Sequence, residues 1–155
     1  MKPVITPLAM GEHRILESTG RHGLKECQHI AVIRFDGSLF FANSNYLEDH
    51  ILDKITNMPA LKHVLIVGNG INEIDASGEE MLSLLVDRLR ENNLDISFCG
   101  LKDQIIDVLK RTRLYEKIGR DHIFQNETRA LLAIHRDAHY NSEEKECPLM
   151  QVCYL

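Results

Sequence analysis

The stretch HVLIVGNGINEIDASGEEMLSLLVDRL, residues 63–89, changes character twice. It opens on a short apolar run, His63–Val67, the pattern of a strand covered on both faces. Residues 68–78 then turn polar, rich in Gly, Asn and acids, with one hydroxyl at Ser77. Beyond them Met81, Leu82, Leu85, Val86 and Leu89 recur at helical spacing, with Glu79, Glu80, Asp87, Arg88 and Glu91 opposite. Strand, polar loop, amphipathic helix is the repeating unit of an α/β fold.

The loop meets several chemical templates and fails two of them. A dinucleotide fingerprint built on Gly68 and Gly70 needs a third Gly at 73, and that residue is Glu73. No Gly-Lys-Ser/Thr follows, so it is no Walker loop. Glu73, Asp75, Glu79 and Glu80 would also repel a phosphate. Ser77-Gly78-Glu79-Glu80 does fit a capping box, Ser77 bonding the Glu80 amide and the Glu80 side chain reaching back. Asp75 is the alternative cap, and either contributes ~1 kcal/mol.

Working outward, HIAVIRF (29–35) is apolar and β-branched, a strand. Asp36-Gly37 is a turn signal, after which SLFFA (38–42) returns as a hairpin or continues as a bent strand. Leu47, Ile51, Leu52 and Ile55 give a helix over 43–58, closed by Pro59. LDISFCG (94–100) alternates as a strand, and residues 102–114 and 126–139 read as helices around a short strand at 122–124. The order β-(β)-α-β-α-β-α-(β)-α predicts a mostly parallel sheet of four to five strands with about four helices. Residues 1–28 read as an N-terminal linker with an edge strand, 29–139 as the domain, and 140–155, charged and aperiodic, as a flexible tail.

Composition narrows the class. At 155 residues the chain reads as one domain, and a net charge of −5 with no basic stripe argues against nucleic acid as a partner. Its longest apolar runs fall far short of the ~20 residues that span a bilayer. The four cysteines form no CxxC pair and read as reduced thiols in a cytoplasmic setting, Cys99 as a small buried residue. His135 and His139 share a helix face and could be drawn with Cys147 or Cys153 as zinc ligands. Without a supporting motif they read as solvated histidines, and no metal is assigned. No nucleophile elbow and no supported Ser-His-Asp order is present, so the chain reads as a non-enzyme with no cofactor.

Strand, polar loop ending IDASG (74–78), helix, strand and then Gly-Leu at 100–101 together resemble a STAS domain, over about residues 29–139. This is the fold of anti-sigma-factor antagonists and of the cytoplasmic C-terminal part of SulP (sulfate permease) anion transporters. IRFDGSLFFANSNYLEDHI (33–51) resembles the SulP branch in particular. The resemblance implies a non-catalytic regulatory domain on the cytoplasmic face of the inner membrane, in a system that moves sulfate, bicarbonate or a similar anion. It implies the transporter's membrane domain or another regulatory protein as partner. A homodimer, or weak nucleotide or anion contact, stays open. The contact loop would comprise Gly68, Asn69, Gly70, Asp75, Ala76, Ser77 and Gly78. In the antagonists the hydroxyl directly after the motif Asp is phosphorylated. Here that residue is Ala76, which has no oxygen to accept phosphate, and Ser77 is the remaining candidate. Free-standing antagonist and small nucleotide-binding protein are the alternatives.

Overall fold

The computed structural model describes residues 3–10, 16–18, 26–40, 43–142 and 147–149. Six strands form one sheet: β1 (Val4–Met10), β2 (Leu16–Ser18), β3 (Ile30–Leu39), β4 (His63–Ile74), β5 (Asp95–Cys99) and β6 (Ile123–Phe124), in the order β2-β1-β3-β4-β5-β6. The pairs β3–β4, β4–β5 and β5–β6 are parallel; β1 runs antiparallel to β2 and β3. Among the described residues five α-helices accompany them: α1 (Ser44–Asn57), α2 (Ala76–Glu91), α3 (Asp103–Arg111), α4 (Leu114–Ile118) and α5 (Glu127–Ala138).

Period-two alternation sorts the strands onto two cores. Ala31, Ile33, Phe35, Val64, Ile66, Ile96 and Phe98 face α1–α4, where Leu47, Ile51, Leu82, Leu85, Ile105, Leu109 and Ile118 meet them. Ile30, Val32, Leu65, Val67 and Cys99 face the other way, onto Ala130, Leu131, Ile134 and Ala138 of α5. His63–Val67 is buried on both faces, as its unbroken apolar run predicts.

Several expectations are corrected. The linker holds two strands, and β1 lies inside the sheet beside β3. Pro7 pairs with Ile33 of β3 and lies outside the Leu8–Met10 stretch that β2 pairs, so it has no ladder partner to lose on the β2 side. Asp36-Gly37 makes no hairpin; the bent-strand alternative holds, with register shifts between Arg34 and Asp36 and between Gly37 and Leu39. The single helix expected over 102–114 ends at Arg111, and Arg113 adopts a left-handed conformation (φ 64°) before α4 begins. The loosely held tail does not extend to Cys147 and Leu149, which are buried in the α5-side core. Cys153 and residues 143–146 and 150–155 lie outside the described residues.

Candidate interaction site at the start of α2

The polar stretch 68–74 is not a free loop. It continues β4, because Gly70, Ile71 and Ile74 pair with Asp36, Gly37 and Leu39 at the bulged end of β3. Gly68 is buried and Asn69 exposed. A Cβ at Gly70 would fall 1.8 Å from Asp36 Oδ1 and 3.0 Å from Asp36 Cα, so a side chain there would have to displace the Asp36 carboxylate from the neighbouring strand. Asn72 and Glu73 project outward, Asn72 accepting from Lys102 Nζ at 2.7 Å.

Asp75 is the N-cap of α2. Its backbone is extended (φ −92°, ψ 177°), and its Oδ1 accepts from the Gly78 amide at 2.8 Å. The Asp75 carbonyl takes the first helical bond, from Glu79 N at 3.0 Å, and the Asp75 amide donates to Leu39 O at 3.2 Å. This corrects the capping-box expectation. Ser77 lies within the first turn, half-buried, and Asp75 is the cap because β4 runs on to Ile74 and delivers residue 75 at the turn. Ala76, the first helical residue, is exposed.

Two of the first amides of α2 are thus satisfied within the chain, and a carboxylate already occupies its positive end. Glu73 and Glu80 are exposed beside it. On the far side, Arg113 and Lys117 line a shallow cleft of about 400 Å³ that also touches Ala76, Glu79, Glu80 and Ser83. Lys117 is held by Ser83 Oγ at 2.7 Å and Asp87 Oδ2 at 2.6 Å. The surface around Ala76 is therefore acidic along one rim and basic along the other.

The STAS domain family model matches residues 23–130. The chain belongs to the STAS domain family. It is 28% identical over 102 residues to a putative sulfate transporter of Bacillus subtilis, covering 66% of this chain and 19% of that protein. Its fold matches the structure of the murine Slc26a9 anion transporter in the inward-facing state, with a TM-score of 0.75, 19% identity and 88% of this chain against 22% of that one. It also matches the STAS domain of a SulP transporter from Vibrio cholerae, with a TM-score of 0.60, 13% identity, and 79% and 94% of the two chains. This STAS domain is related to those of SulP and Slc26 anion transporters, and it spans about a fifth or less of the length of the curated relatives it matches. Among the described residues no helix is long and apolar enough to cross a membrane.

The sequence reading set aside His135, His139 and Cys147 as ligands, and left out Cys27, in a cluster at the opposite end of the STAS domain's sheet. His135, expected in solvent, is 4% exposed, and His139 is half-buried. Cys27, His139 and Cys147 bring one potential ligand atom each within 4.8 Å of one another. Position 135 lies four residues beyond Leu131 on the stripe that also holds Ala130, Ile134 and Ala138, so its burial was readable from helical spacing. Cys27 sits in an aperiodic stretch, and nothing in the sequence marked it.

Proposed function

We propose that this STAS domain is the non-catalytic, cytoplasmic regulatory part of a SulP-type anion transporter, with sulfate or bicarbonate as cargo of the whole. It acts through protein contacts at the 68–78 segment. The observation that carries this reading is the exposed Ala76 at the head of an α2 already capped by Asp75. A residue without a hydroxyl stands where phosphorylated relatives carry one, and the cap supplies the negative charge that a bound anion would otherwise supply. What stays available is a surface with an acidic and a basic rim, which suits a protein partner of matching charge pattern better than a small anion. That partner is the membrane domain of the same transporter or a second regulatory protein.

Three measurements test it. In the intact gene, the reading frame preceding this segment should encode a series of apolar spans; a frame without them removes the transporter reading. In the full-length transporter, reversing Glu73 and Glu80 to Lys should change anion uptake several-fold while the isolated domain keeps its unfolding midpoint. Unchanged uptake would remove the contact surface from this face. Stoichiometric phosphate on Ser77 after incubation with a cognate kinase would favour the free-standing antagonist instead.

A further inference from the structure

Cys27 lies three residues before β3, and Cys147 lies beyond α5, 120 residues away in sequence. Their Sγ atoms are 3.4 Å apart. Disulfide sulfurs lie at about 2.05 Å, so these are unbonded thiols in close apposition. His139 Nε2 completes a triangle, 3.3 Å from Cys27 Sγ. Ligand bonds of about 2.3 Å to sulfur and 2.0–2.1 Å to nitrogen at tetrahedral angles separate two sulfurs by about 3.8 Å, and sulfur from nitrogen by about 3.5 Å. The Cys27–Cys147 and Cys27–His139 distances each need to open by only a few tenths of an ångström to admit an ion, and all three ligand atoms lie within 4.8 Å of one another.

The surroundings are those of ligands already oriented. His139 Nδ1 lies 2.8 Å from the His135 carbonyl, which can only accept, so the proton sits on Nδ1 and the Nε2 lone pair faces the sulfurs. The His29 amide donates to Cys27 Sγ at 3.4 Å, the kind of contact that supports a sulfur acting as a donor of electron density. His135 stacks on His139 with ring centroids 3.8 Å apart, placing a second imidazole beside the triangle. Cys27 and Cys147 are buried, so water does not compete freely for the position between them.

We propose that Cys27, Cys147 and His139 form a binding site for one borderline-soft divalent ion of the Zn²⁺ class, with His135 the nearest further donor. Two sulfurs and an imidazole select such an ion over Mg²⁺ or Ca²⁺, which require oxygen ligands. The ion pins the approach to β3 and the 147–149 segment to the end of α5. This is the edge where the parallel strands begin, opposite the α2 N-terminus. An ion bound only by the folded state ties together residues far apart in sequence and stabilises that state by mass action.

The test is titration of the reduced, chelator-treated chain with Zn²⁺ and, for spectroscopy, Co²⁺. The expected result is one ion per chain, a thiolate-to-cobalt charge-transfer band, and a melting temperature that rises with Zn²⁺ and falls again with chelator. Cys27→Ser, Cys147→Ser and His139→Ala should each weaken binding beyond the ~100-fold upper range of losses from residues that merely support ligands. Cys99→Ala should bind as the parent does, because that thiol is buried elsewhere and pushed up to about 12 by its burial. Should the ligand variants fail to fold, the parent's cobalt spectrum and stoichiometry decide alone. Absence of binding by the reduced parent would overturn the site, as would a cobalt spectrum without the sulfur band. A Cys27–Cys147 disulfide that persists under reducing conditions would replace it with a covalent link.

Discussion

Gly78 of α2 lies against the Leu39 carbonyl so closely that a Cβ built on it would fall 1.9 Å from that oxygen and 2.8 Å from its carbon. The same oxygen accepts the Asp75 amide, so it cannot withdraw without losing that bond. Gly78→Ala gains about 1 kcal/mol of helix propensity and meets an overpacking cost of about 1–3 kcal/mol or more. The expected outcome is net destabilisation of about 1–2 kcal/mol in urea unfolding, from the balance of those two effects. A midpoint at or above the parent's would show that the end of β3 yields easily.

The cap makes a paired prediction. Asp75→Ala removes the acceptor of the Gly78 amide and should cost about 1 kcal/mol, while Asp75→Asn, which keeps an acceptor, should lose much less. Ser77→Ala should stay within about 0.5 kcal/mol, since the Ser77 side chain does not cap the helix. Thermal or urea unfolding of the three variants settles the order. If Ser77→Ala proved the costliest, the capping box would hold after all.

The elements that sequence made plain are those whose burial imposes a period. His63–Val67 and Ile96–Cys99 are buried on both faces, and the inward residues of α2 are the ones its spacing picked out. What stayed hidden was imposed by neighbours. Gly70–Ile74 shows no strand alternation and is recruited into β4 only because the bulged end of β3 lies alongside. The choice between Asp75 and Ser77 as cap depended on where that strand ended, which no local pattern fixes. Val4–Ala9 runs from an exposed Val4 to buried Leu8 and Ala9 with Pro7 between them, so its place inside the sheet left no clear signal. The 68–78 segment was singled out through its motif, whereas Cys27 joins His139 and Cys147 only in three dimensions.

Arg90, in the last turn of α2, fastens three elements. Its Nη1 donates to Lys117 O at 2.6 Å, its Nη2 to Ile118 O, and its Nε to Asp95 Oδ1 at 3.0 Å. It thus satisfies carbonyls at the end of α4 and pairs with the first residue of β5. A lysine carries the charge but lacks the planar fork that reaches all three acceptors. Arg90→Lys should cost about 1.5–3 kcal/mol, as for the loss of one hydrogen bond made by a charged group. Faster amide exchange at Leu114–Ile118 should accompany it. An unchanged exchange pattern would mean that α4 holds its place without the clamp.

The last prediction concerns acid. His63 is 8% exposed and bonded through Nε2 to Ser97 Oγ at 2.7 Å. Burial is the main cause that lowers its pKa from 6.5 to about 4; Asp95 opposes the shift, and His122 and Arg90 add to it. Between those two values the unfolded chain holds a proton that the folded chain does not. The contribution of His63 to stability is therefore fully present above pH 6.5 and is lost as pH falls toward 4, by roughly 3 kcal/mol at 1.36 kcal/mol per pH unit. Asp95 works in a separate, lower window. Burial alone would raise its carboxyl, but hydrogen bonds from His122, the Ile96 amide and Arg90 hold it below 3.8. Replacing both partners, His63→Leu with Ser97→Ala, leaves no orphaned polar group. Urea unfolding of the parent from pH 7 to pH 4 should then show a slope approaching one proton that the double variant lacks. Parallel curves would mean that His63 is protonated in the folded chain as readily as in the unfolded one.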